Sequence, residues 1–193
     1  MDIVQRAQAI LFKPREEWIR IKAEPTTAAG LFTSYAMVLA AIPPGFQFLR
    51  RILIERLPVI GHWPVTRALG SAVVAYVLSL LTVLLFAVII NELAPSFSSA
   101  KHMTNALKLA VFSMTPGWVA GVLAIVPGLW IVGILASLYG VYILYLGLRT
   151  PMMETPKEKV GGYLGVSILV AIGLDIIVNW FLNVIFAVRY GRL

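Results

Sequence analysis

Four stretches of this chain carry almost no charge, and their lengths decide what it can fold into. Pro25 to Leu49 (25 residues), Ala68 to Asn91 (24) and Leu109 to Leu148 (40) contain no Asp, Glu, Lys, Arg or His, and Val160 to Val188 (29) is broken only by Asp175. A helix of about 20 apolar residues crosses the hydrocarbon of a bilayer, so each stretch is of membrane length and the longest is twice that. Pro127 and Gly128 stand near the middle of the 40-residue run, where they can close a tight turn between two antiparallel helices. The pattern predicts an all-α polytopic membrane protein with five transmembrane helices, at about 27–48, 69–91, 108–126, 129–148 and 163–187. They form a single integral membrane domain over residues 1–193, in which 1–26 is a cytoplasmic or interfacial segment.

Composition narrows the function classes. The 193 residues are 60% hydrophobic and 13% charged, with a mean hydropathy of +0.88, whereas soluble domains carry about 25% charged residues. A water-soluble globule is excluded, and five spans leave no room for a separate soluble domain. Sixteen Lys and Arg against nine Asp and Glu give a net charge of +7. In so apolar a chain this excess is loop charge facing anionic lipid, and nucleic acid is not an expected partner. The absence of cysteine removes disulfides, thiolate metal sites, Cys nucleophiles and palmitoylation. Met1-Asp2-Ile3-Val4 lacks a myristoylation glycine, and Lys13 and Arg15 arrive before any apolar core of signal-peptide length, so the first span is expected to act as its own insertion signal.

Ahead of that span, Ile3, Val4, Ala7, Ile10 and Leu11 fall on one helical face, while Gln5, Arg6 and Gln8 take the other, the pattern of an N-terminal interfacial amphipathic helix. Pro14 ends it and can open a second short helix, with Glu16 and Glu17 suited to its positive start and Trp18 to the headgroup layer. Whether this segment caps one end of the bundle or serves as a docking platform is open. The first loop, Arg50 to Arg67, mixes apolar and basic residues and is expected at the opposite interface. Lys101 and Lys108 are expected to face anionic headgroups.

Small residues are the most regular feature inside the spans. Gly117 and Gly121 are four apart in the third, and Gly133, Gly140 and Gly147 recur every seven in the fourth. In lipid, helix association rests on van der Waals packing, so such faces suit close contact. A glycine-lined ligand path is the other reading. Pro116 cannot donate to the carbonyl of Phe112, which predicts a kink with Ser113 or Thr115 offering a compensating hydrogen bond. Pro43-Pro44-Gly45 bends or ends the first span.

Asp175 is the sharpest single residue. It lies at the middle of the last predicted span, where a carboxylate costs about 2.5 to 3.5 kcal/mol on insertion scales. Asn179 and Asn183 follow one and two turns later and make a polar stripe with it. Hydroxyls of Tyr139, Tyr142, Ser113 or Thr115 are candidate partners for its carboxyl. Such a stripe reads either as an ion or proton site or as a hydrogen-bonded packing device. Only two histidines exist, His62 and His102, both in loops. No Ser-His pair, zinc helix or second intramembrane Asp is present, so neither an enzyme, a metal site nor a cofactor is expected.

Phe12-Lys13-Pro14-Arg15-Glu16-Glu17-Trp18, Asn105-Ala106-Leu107-Lys108-Leu109 running into Phe112-Ser113-Met114-Thr115-Pro116-Gly117-Trp118, and the tyrosine-rich Leu138 to Leu148 together resemble the prokaryotic branch of the Yip family, the Ypt/Rab-interacting membrane proteins. The family's Gly-Tyr-x-x-x-Pro motif falls here on Val111, Phe112 and Pro116. Its Asp-Leu-Tyr-Gly-Pro motif is absent. The resemblance implies five spans, a cytoplasmic N-terminus and a non-enzymatic protein. Eukaryotic members bind prenylated Rab GTPases and shape transport membranes. What carries over to this chain is a scaffold organising membrane partners or lipid in a prokaryotic inner membrane, with self-association or other membrane proteins as partners. The alternative is a small oligomeric channel or proton-linked transporter using Asp175.

Lys and Arg number ten on the side of the N-terminus and six on the other, which places Met1 in the cytoplasm and Leu193 across the membrane. In this cysteine-free chain, Gln8→Cys should be shielded from an impermeant thiol reagent in intact cells and Gly191→Cys labelled. Labelling of both, or of neither, would mean an even number of crossings.

Overall fold

The computed structural model describes residues 2–54, 64–150 and 152–187. Arg56, His62, Arg189 and Arg192, with most of the first loop, lie outside them. Two short helices, α1 (Ile3–Phe12) and α2 (Pro14–Ala23), precede five membrane-length ones: α3 (Ala28–Leu53), α4 (Val65–Leu93), α5 (Met103–Ala120), α6 (Trp130–Arg149) and α7 (Val160–Ala187). All five of the latter are long and apolar enough to cross a membrane. Among the described residues no strand occurs.

Local chemistry explains the breaks. Thr27 caps α3 by accepting the Gly30 N–H at 3.1 Å. The helix widens to a π-type turn over Phe32–Ala36 and breaks at Ala41, after which Pro43 and Pro44 occupy a new first turn, where their missing N–H groups cost nothing. The double proline therefore bends α3, which continues to Leu53. α4 ends in a tighter turn, Ala94–Phe97. α5 runs through Pro116 and tightens to a 3₁₀ turn over Gly121–Ile125; Thr115 Oγ1 donates to the Val111 carbonyl at 3.2 Å and Ser113 Oγ to that of Ala110 at 2.9 Å. Gly128 then takes φ +91°, a left-handed conformation that favours glycine, and turns the chain into α6.

α5 is the central helix, with 56% of its most apolar window buried against 0% for α7 at the periphery. The buried core joins Ile10, Trp18 and Ile21 of the short helices to Tyr35, Phe86, Ile90, Leu107, Phe112 and Ile143 of the spans. Elsewhere the spans present Leu81, Leu135 and Ile176 outward, as lipid requires.

Candidate functional site

Two features stand out: a buried polar lock that fastens α1 and α2 against α5 and α6, and a cavity between the spans. The lock begins with Trp18, completely buried, whose Nε1 donates to the Ile143 carbonyl at 3.0 Å and whose ring meets Phe112 edge-on at 5.9 Å. Its indole fits because Gly147 has no side chain: a Cβ there would lie 2.7 Å from the Trp18 ring and 2.5 Å from Leu109. Phe112 also meets Tyr35 at 5.1 Å, and Tyr35 bonds the Thr115 hydroxyl at 3.1 Å.

The free carbonyls at the ends of the two short helices are taken up by the bundle. Tyr139 donates to the Leu11 carbonyl at 2.6 Å, and Lys108 Nζ to those of Ile21 and Glu24 at 2.8 and 3.0 Å. A cation suits the negative end of α2. Arg6 pairs with Glu17, which is 1% exposed, and with Glu24. Three expectations are corrected here. Trp18 is in the core instead of the headgroup layer, because the Gly147 notch and the Ile143 carbonyl receive it. Arg6 points inward toward two carboxylates, not to the polar outer face. Lys108 caps α2 and does not face lipid headgroups, while Lys101 pairs with Glu92 at the surface.

The cavity has a volume of about 490 Å³ and lies between α4, α5, α6 and α7. Asp175 is the one ionisable residue among the described residues that line it, together with Ser79, Thr82, Ser113 and Ser137. Three of these hydroxyls bond their own helices: Thr82 to Leu78, Ser113 to Ala110 and Ser137 to Gly133. Of the expected Asp175 partners, Tyr139 and Thr115 are engaged in the lock, and Ser113 alone shares the cavity. Asn179 and Asn183 are exposed outside its lining, each amide donating at 2.9 Å to the carbonyl one turn back. Gly117 and Gly140 are in its wall. A Cβ at Gly140 would strike the Ser113 carbonyl, one at Gly121 would lie 2.5 Å from Pro43 Cγ, and one at Gly117 or Gly133 would meet nothing within 4 Å. Among the described residues no group of three or more His, Cys, Asp or Glu converges to hold a metal.

Phe112 and Pro116 thus both lie buried on α5, beneath the lock. A family model described as Yip1 domain matches residues 9–178. The chain belongs to the Yip1 domain family. Neither the curated proteins nor the solved structures yield a match to it. The Yip1 match takes in α2, the first four spans and α7 through Asp175 as far as Val178, whereas Asn179 and Asn183 fall beyond it.

Sequence reasoning missed Trp18, Tyr139 and Lys108 as positioning residues. Their signal was a lysine directly before the longest apolar run and a tryptophan spaced with Ile10 and Ile21. Lys108→Met keeps the length of the side chain but removes both carbonyl bonds. It should speed tryptic cleavage at Arg20 and Lys22 in membrane vesicles about tenfold, corresponding to about 1.4 kcal/mol of local opening; an unchanged cleavage rate would mean the lock does not hold the segment.

Proposed function

We propose that this multi-pass Yip1-family protein is a non-catalytic scaffold in a prokaryotic inner membrane, with its N-terminus in the cytoplasm. The observation that carries this reading is the cap that α1 and α2 form against α5 and α6. Its inner face is fastened to the bundle by buried bonds, and its outer face is left open. There Phe12 is 81% exposed and Ile19 66%, beside exposed Lys13, Arg15 and Lys22. Apolar side chains among cations suit anionic lipid or a membrane-bound partner, and a rigid mount keeps their arrangement fixed. Purification from native membranes in a mild detergent should recover reproducible partners or anionic lipid. Phe12→Ser with Ile19→Ser should lose them while the protein remains folded. Recovery of the wild-type protein alone would overturn the scaffold reading.

A second reading, a small oligomeric channel or proton-linked transporter, is favoured by the place of Asp175 in a cavity bounded by four spans. A carboxyl group at that depth is a natural stopping point for a cation or proton. Proteoliposomes carrying the wild type should then pass protons faster than those carrying Asp175→Asn; equal background flux in both would remove this reading.

A further inference from the structure

We infer that two copies of this chain pair in the membrane along one face of α7. The starting observation is exposure of the wrong kind. α7 is the least covered span, and Asp175, Asn179 and Asn183 are all exposed on it, where a monomer would set them against hydrocarbon or the cavity mouth. The Asn179 and Asn183 amides each donate once to their own helix. Each keeps an oxygen acceptor and a second N–H. The Asp175 carboxyl enters no hydrogen bond among the described residues. Leaving such groups unmatched in lipid is costly, and intramembrane polar side chains are accordingly satisfied across helix contacts.

Their arrangement selects the partner. Gly161, Gly165, Ile172, Asp175, Asn179 and Asn183 fall within an arc of about 80° at 100° per residue, and the helix reads as one seam from end to end. Gly161 and Gly165 are exposed, with nothing within 4 Å of a Cβ built on either, so a second backbone can approach closely at that end. At the other end the groups are self-complementary. Copies of one chain share a topology, and a two-fold axis along the membrane normal sets their α7 helices parallel with like residues opposite. Asn183 then donates its remaining N–H to its counterpart and accepts one in return, and the second copy's Asn179 gives its remaining N–H to Asp175 one turn away. Lipid tails offer none of these groups. Asp175 also lines the cavity, so a second copy adds polar groups to that wall and covers the cavity's α7 edge.

The chain has no cysteine, so single cysteines report the seam directly. Under mild oxidation in native membranes, Gly165→Cys and Ile172→Cys should form disulfide-linked dimers at least tenfold more than Ile177→Cys and Leu138→Cys, which are each 61% exposed but off the seam. Equal linking at all four positions, or none on the seam, would overturn the inference. Asn179→Leu with Asn183→Leu in the purified protein should lower the dimer fraction in liposomes about tenfold by single-molecule photobleaching; an unchanged fraction would overturn it equally. Both measurements use this chain alone and do not depend on any scaffold partner or flux.

Discussion

The close approach of α5 to α6 is the constraint on which the other contacts depend. The Pro127-Gly128 turn makes the two helices antiparallel neighbours, but how near they come is set by what Gly140 and Gly147 lack. At Gly140 the α6 backbone comes against the Ser113 carbonyl, and at Gly147 the missing side chain leaves a notch shared by Leu109 and Trp18. In hydrocarbon there is no water to expel from between two apolar helices, so contact area gained by small residues is the main attraction. Once that seam is formed, its flank presents the Ile143 carbonyl, the Phe112 ring and the Tyr139 hydroxyl to the short helices. The two short helices have a receptor made by packing.

Backbone polarity then decides how they sit. A helix end carries carbonyls without partners, and near a bilayer each needs a donor. Tyr139 supplies one to α1, and Lys108 supplies α2 with a pair of bonds. The buried Arg6 and Glu17 pair adds direction more than energy, since removing two charges from water offsets much of their attraction. Its effect is to tie α1 to α2, so that Trp18, Lys108 and Tyr139 act on one body. The cap's outward residues inherit their positions from contacts on the opposite face.

The five spans were legible because membrane crossing imposes a length and a composition on every residue of a segment, and Leu109 to Leu148 could be divided at its one turn pair. Family membership was legible from Phe112, Pro116 and the tyrosine-rich fourth span. Arg6, Trp18 and Lys108 were misplaced for one physical reason. Each has a default at a membrane surface, solvent for arginine, headgroups for tryptophan and anionic lipid for lysine, and those defaults hold only where no tertiary acceptor competes. The Ile143 and Ile21 carbonyls and Glu17 compete, and they come together through contacts 87 to 125 residues apart for the two carbonyls, which no local pattern encodes. Asp175 was the reverse case. Its expected depth rested on span length alone, whereas its placement at a cavity depended on the neighbours of α7.

The distribution of order along the membrane normal and across the bundle has a consequence for where function resides. The end bearing the N-terminus holds most of the fully buried large side chains, Trp18, Ile10, Ile21, Leu107, Leu109, Ile143 and Leu148 among them, and Arg6, Glu17 and Lys108 there are paired. α7 is anchored mainly near its start, where Tyr163 stacks on Phe97 at 4.8 Å and donates to the Ile90 carbonyl. Beyond that anchor its interface with the bundle opens into the cavity, and its polar residues have few partners of their own. Close packing resists rearrangement, whereas a helix fixed at one end and loosely covered along its length can take a new neighbour at little cost. A mount at one end and an unsatisfied face at the other divide the molecule by physics: the first fixes a surface, and the second is where association or movement of a charge can be coupled to the bundle.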